Sequence, residues 1–266
     1  VQVKLAEAGQ MDPEAVRETF QHLGFKTLLN RVGVRPPNKW KTHAETLGAA
    51  NFEHFLATLT KTKRVYLSCS GDLHTLFCLL GDEVWAVGSN WLKEHQGQLA
   101  KEFEEKEIYA TCGKDVLHIL GREDSPLVSF DLELALYCLD PEKRWDLGAI
   151  CQHFQQPETN LTVKDPGYAA VYLRIFREVA AQAREGLKAG DLWALYAELE
   201  LPLVTVLAQM EAYGILLDPG KIELISGELE LTMEKLTEAI YAEAGEEFNI
   251  NSPKQLGVIL FDKLGL

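Results

Sequence analysis

The spacing of apolar positions divides the chain into three stretches. Near the start, Val16, Phe20 and Leu23 recur at helical spacing. They follow Asp12, a good N-cap, and Pro13, a favoured first helical residue, and Gly24 supplies a stop. The run Val34-Arg35-Pro36-Pro37-Asn38-Lys39 predicts a linker. Between 40 and 190, short apolar runs alternate with amphipathic ones. Arg64-Val65-Tyr66-Leu67-Ser68-Cys69 predicts a buried strand. Apolar runs at 76–80 and 84–87 flank Gly81-Asp82, a hairpin signal. Residues 91–106 predict one helix, polar on one side, and residues 107–111 and 127–130 predict strands around a helix at 114–120. Residues 146–154 predict a further helix. Asp165-Pro166 opens a long one, with Tyr168, Tyr172, Ile175 and Val179 on one stripe. Strands separated by helices indicate an α/β layer structure.

From Asp191 onward the pattern is helical throughout. Leu192, Leu195, Leu199, Leu203, Val206, Met210 and Tyr213 recur at three and four, Pro202 predicts a kink or a fresh start, and Gly214 ends the run. A second helix covers about 220–244, with Ile222, Ile225, Leu229, Leu236 and Ile240 on one face. At 1.5 Å per residue its length is ~36 Å, which suits an arm of two antiparallel helices.

Charge changes the picture at the same boundary. The 266 residues carry 40 acids and 26 bases, net −14, which excludes a uniformly basic nucleic-acid coat and leaves room only for a local patch. Residues 191–247 hold 13 acids and 2 bases, whereas 248–266 hold Lys254, Lys263 and Asp262. The helical arm is therefore acidic along its shaft and loses that character at its tip. A solvated acidic face accounts for this, and so does a shaft that repels anions and accepts them only at its end. Five scattered cysteines, an odd number without a Cys-x-x-Cys pair, argue against a disulfide framework, and most of them read as reduced core residues in a cytoplasmic protein. No apolar run is long enough to span a membrane as a helix.

The tip, Phe248-Asn249-Ile250-Asn251-Ser252-Pro253-Lys254-Gln255-Leu256, predicts a sharp helix start. Ser252 is the N-cap, Pro253 the first helical residue, and Gln255 the far member of a capping box. Free N–H groups there, with Asn, Ser and Lys side chains beside them, form a phosphate-accepting arrangement; a cap with no further role is the plainer alternative.

Three segments, Leu195-Tyr196-Ala197-Glu198-Leu199-Glu200-Leu201-Pro202-Leu203, Met210-Glu211-Ala212-Tyr213-Gly214-Ile215 and Glu247 to Leu256, resemble the entry into the polymerase domain and the base and tip of the thumb of bacterial family A DNA polymerases. By the same resemblance, residues 40–190 look like that family's 3′–5′ exonuclease-type domain, a ribonuclease H-like α/β fold. Residues 1–39 look like the helix and linker that join it to a preceding 5′-nuclease domain, and 191–266 like the start of the polymerase domain with its thumb helices. The palm and fingers, with the carboxylates that hold the polymerase magnesium ions, are then expected beyond Leu266. The first residue, Val1, reads as a cut inside a longer chain or as a processed end.

The resemblance also locates the exonuclease motifs. Active members end their first strand with Asp-x-Glu, where this chain has Ser68-Cys69-Ser70. The second motif keeps its aspartate as Asp115. The third, Tyr-x-x-x-Asp, appears as Tyr168-Ala169-Ala170-Val171-Tyr172, with the aspartate lost. Two-metal hydrolysis needs several carboxylates around two cations, and a lone Asp115 cannot hold both. A shifted set of Asp72, Asp115, Asp131 and Asp165 was the competing arrangement, although Asp131 reads as an N-cap. Cys69 lacks any nucleophile-elbow pattern.

The expected function is thus that of a DNA polymerase I segment in replication and repair, with a catalytically inactive, structural exonuclease-like domain. No metal or cofactor is expected in this segment, and Mg2+ in the complete polymerase. The expected partners are primer-template DNA, touched through Asn249, Asn251, Ser252 and Lys254, and the rest of the polymerase chain, as a monomer with no membrane. The rival readings are an active metal-dependent 3′–5′ exonuclease and a non-catalytic module for single-stranded DNA.

Overall fold

The computed structural model describes residues 15, 16, 19, 20 and 40–266, apart from 158, 160 and 166. The helix start at Asp12-Pro13, its Gly24 stop, the 34–39 linker and Pro166 lie outside the described residues. Ala15, Val16, Thr19 and Phe20 are helical, and the Thr19 hydroxyl donates to the Ala15 carbonyl at 2.7 Å.

The chain divides into two compact units at Tyr213/Gly214. The first is built on a six-stranded mixed sheet in the order β1-β4-β3-β2-β5-β6. Its strands are β1 (Glu45–Thr46), β2 (Arg64–Cys69), β3 (Thr75–Leu80), β4 (Glu83–Gly88), β5 (Glu107–Ala110) and β6 (Val128–Asp131). β2, β3 and β4 form an antiparallel meander, closed by Gly81 at φ +58 as the hairpin signal predicts. β5 and β6 join it in parallel, because the helices between them carry the chain back across the sheet.

Helices cover both faces. On one lie α1 (Phe52–Lys61), α2 (Ser89–Glu94), α3 (Gln96–Glu104) and α4 (Gly113–Leu120), whose Phe55, Leu59, Leu92, Phe103 and Leu117 bury against Val65 and Leu67 of β2. On the other lie α5 (Leu132–Leu139), α6 (Leu147–His153) and the long α7 (Tyr168–Ala189), whose Leu136, Ile150 and Phe176 pack with Tyr66 and Tyr109. The period-2 alternation of β2 is what sends Val65 and Leu67 to one side and Tyr66 to the other. Arg174 of α7 is buried and ties these layers to the chain's start. Its guanidinium donates to the carbonyls of Lys41 at 3.1 Å, Ala170 at 3.1 Å and Asp82 at 3.0 Å.

The single helix expected at 91–106 is two. His95 leaves helical geometry at φ −111, ψ 15 and separates α2 from α3. Its ring stacks on Trp91 at 4.3 Å and meets Phe52 of α1 at 4.6 Å, so a contact from a distant element fixes the break. Pro202 behaves as expected but through an unusual device. Without an N–H it cannot continue the α-helical ladder, and the preceding residues, Leu195–Glu200, form a π-helical stretch that runs into α8 (Leu201–Tyr213).

The apolar stripe of α8 does not become its buried face. Val204 and Ala208 are buried, whereas Leu203, Val206, Met210 and Tyr213 are exposed, Tyr213 at 88%. The reason is steric. The small Ala208 and the short Val204 allow close approach to the first helix face of the sheet, where a Cβ on Gly113 would lie 3.1 Å from Val204 Cγ1. The first unit thus reaches Tyr213, past the compositional boundary at Asp191. The second unit holds α9 (Pro219–Ala244), α10 (Pro253–Gly257) and a π-helical continuation, Val258–Lys263. Along α9, Ile222, Ile225, Leu229, Leu236 and Ile240 are likewise exposed.

Candidate functional site

β2 and β5 run parallel with Leu67 opposite Ala110, so their carboxyl ends finish side by side. Such an edge is where open α/β sheets place ligand sites. A cavity of about 720 Å³ opens there, walled by the ends of both strands, the first turns of α4, α5 and α7, and the segment Thr42-His43-Ala44. Ser68, Ser70, Asp115, Tyr168 and Tyr172 all line it, as do Cys69, Cys112, Glu133 and Asp165.

The two serines are engaged by protein partners. Ser68 is buried and accepts from the Thr111 hydroxyl at 3.1 Å. The Ser70 hydroxyl donates to Asp72 Oδ1 at 2.6 Å and accepts from the Thr75 N–H at 2.9 Å, which closes the turn between β2 and β3. Tyr168 and Tyr172 lie one helical turn apart with ring centroids at 5.8 Å. Burial pushes both phenols above their ordinary range, Tyr172 strongly, with the charge of Glu133 acting in the same direction. Burial also raises the Cys69 thiol, helped by Asp115, and pushes Cys112 up to about 12. Thiols held protonated in this way are poor nucleophiles.

Of the shifted aspartate set, Asp115 and Asp165 line the cavity, and Asp72 and Asp131 do not. Asp72 is spent in the β2–β3 turn, where it also accepts from the His74 N–H. Asp131 is the buried N-cap of α5, accepting from Leu134 N–H at 3.0 Å and from Gly113 N–H at 2.5 Å. Its own backbone N–H and carbonyl are bridged by the Tyr196 hydroxyl at 2.7 and 3.1 Å. Burial raises its carboxyl to about 6 against the pull of these donors. Asp165 accepts from both the N–H and the hydroxyl of Thr162. Among the described residues no group of three or more His, Cys, Asp or Glu side chains is placed to hold a metal ion.

Glu133 is the cavity carboxylate that sequence reasoning missed. It is an exposed residue at the cavity wall, two positions after the Asp131 cap, and its N–H donates to the Thr111 carbonyl at 3.1 Å. Desolvation of its carboxyl, then the charges of Asp131 and Asp115, raises it to about 7. The available signal was positional: a glutamate in the first turn of a helix that starts where a parallel strand ends. The fold disfavours the charged form of a raised acid, so stability is greatest while Glu133 is protonated in both states, below about pH 4, and is lost as pH rises through 7. Glu133→Gln is therefore expected to flatten part of the fall in stability between pH 5 and 8. Urea midpoints of both proteins across that range check this; parallel curves would contradict it.

In the second unit, Asn249, Asn251 and Lys254 are exposed and Ser252 is half-buried. Ser252 caps α10, accepting from Gln255 N–H at 3.4 Å, with Pro253 at the first position. The reciprocal half of the expected capping box is absent. Gln255 Oε1 accepts from Asn249 N–H at 2.8 Å, because the Ser252 N–H is already given to the Asn249 carbonyl at 2.9 Å.

A mixed sheet covered by helices on both faces, followed by a helical unit, is also found in the structure of the POL domain of Pol1 from M. smegmatis, solved in complex with DNA primer-template and dNTP. That structure covers 84% of this chain and 41% of its own at a TM-score of 0.59 and 23% identity, so the two share a fold. No protein-family model matches the chain. The chain is 39% identical to DNA polymerase I of Bacillus subtilis over 296 alignment positions, and 34% identical to that of Streptococcus pneumoniae over 281. These matches take in 95% and 96% of this chain. A further match, to DNA polymerase I of Rhizobium leguminosarum, reaches 52% identity over 80 residues. The chain belongs to the DNA polymerase I family. It spans about a third of the length of the two relatives that it matches almost throughout, 32% and 31%.

Proposed function

We propose that the chain is the part of a bacterial DNA polymerase I that combines a ribonuclease H-like 3′–5′ exonuclease-type domain, no longer hydrolytic, with the start of the polymerase domain and its thumb. The observation that carries this is the match to DNA polymerase I over nearly the whole chain. Two features support the exonuclease-type reading: a three-stranded antiparallel meander continued by two parallel strands, and the meeting of all five motif positions in one cavity at the strand ends. Loss of hydrolysis is supported by the donor set. Where two cations need several free carboxylates, this cavity offers two hydroxyls tied to Thr111, Asp72 and Thr75, and an Asp165 tied to Thr162, which leaves Asp115 and Glu133. These residues do not fit a two-metal centre.

The domain then supports the polymerase domain, and the thumb-tip residues Asn249, Asn251, Ser252 and Lys254 meet the DNA backbone, positioning duplex without reading bases. Nucleotidyl transfer with Mg2+ belongs to the remaining two thirds of such a polymerase, acting in the bacterial cytoplasm as a monomer. Two measurements test the reading. A labelled single strand incubated with the chain and Mg2+ or Mn2+ stays intact; shortening from its 3′ end favours the active-exonuclease alternative. In a polymerase that carries this chain, Lys254→Ala lowers primer-template affinity severalfold and reduces the log–log salt slope by about 0.9, the value of one phosphate contact. An unchanged slope leaves Ser252 and its neighbours as a cap only.

A further inference from the structure

The cavity at the strand ends has a charge that does not suit a nucleic acid. Asp115, Glu133 and Asp165 line it, and among the described residues no lysine or arginine does and His43 is the one imidazole. A phosphodiester entering without divalent cations meets three carboxylates in a partly desolvated space, where like charges repel strongly. The uncharged part of the wall is aromatic on two sides, with Tyr168 and Tyr172 on α7 and Phe77 on β3. The Tyr172 hydroxyl, in the most strongly desolvated phenol of the wall, makes no hydrogen bond among the described residues and is left to accept or donate to an occupant. The volume, about 720 Å³, is that of a small-molecule site.

We propose that this cavity binds a small organic cation, an ammonium or amidinium group on a flat apolar body, and excludes the DNA strand end. The cationic group lies between the Asp115 and Glu133 carboxylates, and the body stacks on Tyr168 and Tyr172, where a ring face adds cation–π attraction. Asp165, whose Oδ2 already accepts from the N–H and the hydroxyl of Thr162, contributes mainly field. Desolvation, then the like charges of Asp131 and Asp115, raises the Glu133 carboxyl, and a bound cation favours its ionised form. The proposal rests on the reading that no metal pair occupies the cavity.

The test titrates benzylamine, benzamidine, benzyl alcohol and thymidine 5′-monophosphate into the 266-residue chain by calorimetry, at low salt and with EDTA. Both cations are expected to bind in the range of about 10 μM to 1 mM. Benzyl alcohol, the same body without charge, binds at least about tenfold more weakly, a difference of about 1.4 kcal/mol. Glu133→Gln and Asp115→Asn each weaken benzylamine by a similar factor. The melting temperature of Glu133→Gln is compared with the original at pH 5, where the folded-state carboxyl is still protonated and the two differ least, so that a loss of binding is told apart from a loss of folding. Equal binding of benzyl alcohol and benzylamine, unchanged affinity in both variants, or no binding of either cation overturns the proposal. Repeating the nucleotide titration with Mn2+ separates the two levels. Manganese-dependent nucleotide binding with strand cleavage overturns the metal-free reading itself, whereas failure of the amines alone, with no manganese effect, overturns only the ligand class.

Discussion

Changing Ser68 to Asp, Ser70 to Glu and Tyr172 to Asp in one chain, with Asp115 kept, is expected to create a manganese site that the unmodified protein lacks. All four positions face one cavity, so the new carboxylates converge on Asp115 and Glu133. Without metal the variant is less stable, by about 2–4 kcal/mol, for three reasons. Ser70→Glu removes the hydroxyl that accepts from the Thr75 N–H and holds the β2–β3 turn. Ser68→Asp places a charge at a position only 5% exposed. Tyr172→Asp withdraws an aromatic ring from the packing around α7. Manganese reverses much of this. A ligand that binds only the folded chain stabilises it by about 2.7 kcal/mol at a hundredfold excess over its dissociation constant. For a chain of this length that corresponds to a rise of about 5–10 °C in melting temperature. Scanning calorimetry of both proteins with and without Mn2+ decides the matter. Equal shifts in the two would show that these three residues are not the lost ligand positions.

Gly167→Ala is expected to be the most damaging single methyl group in the site. Gly167 precedes α7 with φ +86, a left-handed conformation that costs an L-residue about 1–2 kcal/mol. Space is the second obstacle: a Cβ there would lie 2.5 Å from the Thr42 carbonyl oxygen and 2.8 Å from its Cβ. Backbone cannot swing aside as a long side chain can, and the same segment is held at Lys41 by Arg174. Strain and overpacking together give a loss of about 2–5 kcal/mol, with a melting temperature lower by about 5–15 °C. Gly71 is the control. It lines the same cavity, yet a Cβ on it meets nothing within 4 Å and its φ is not left-handed, so Gly71→Ala changes little. Equal losses at the two glycines would mean that the contact between Thr42 and Gly167 does not constrain the fold.

The pH behaviour of Glu133, the phosphate contact of Lys254 and the charge preference of the cavity are smaller effects, but they draw on the same geometry. The cavity lies at the carboxyl ends of β2 and β5, with Ser68 and Ser70 on its wall. Asp115, Glu133 and Asp165 line it without a lysine or arginine among the described residues, and desolvation, then the charges of Asp131 and Asp115, raises Glu133.

What the sequence determined by itself was whatever acts over a few residues. β2 appears at the expected bounds because its alternation and β-branched and aromatic content are local. The hairpin at Gly81, the caps at Asp131 and Ser252 and the break at Pro202 all follow from dihedral preference or a hydrogen bond spanning three or four positions. Motif resemblance singled out Ser68, Ser70, Asp115, Tyr168 and Tyr172, and the fold gathers these five positions in one cavity. Tertiary structure decided the rest. Only the folded chain brings Phe52 against His95 to split a helix, or turns the apolar stripe of α8 outward because the small Ala208 packs closer than Leu203 or Met210 could. Only parallel pairing of β5 with β6 sets Glu133 beside Thr111 and into the cavity. Each of these depends on partners tens of residues away in the chain, and a periodicity read along one segment carries no record of which neighbour it will meet.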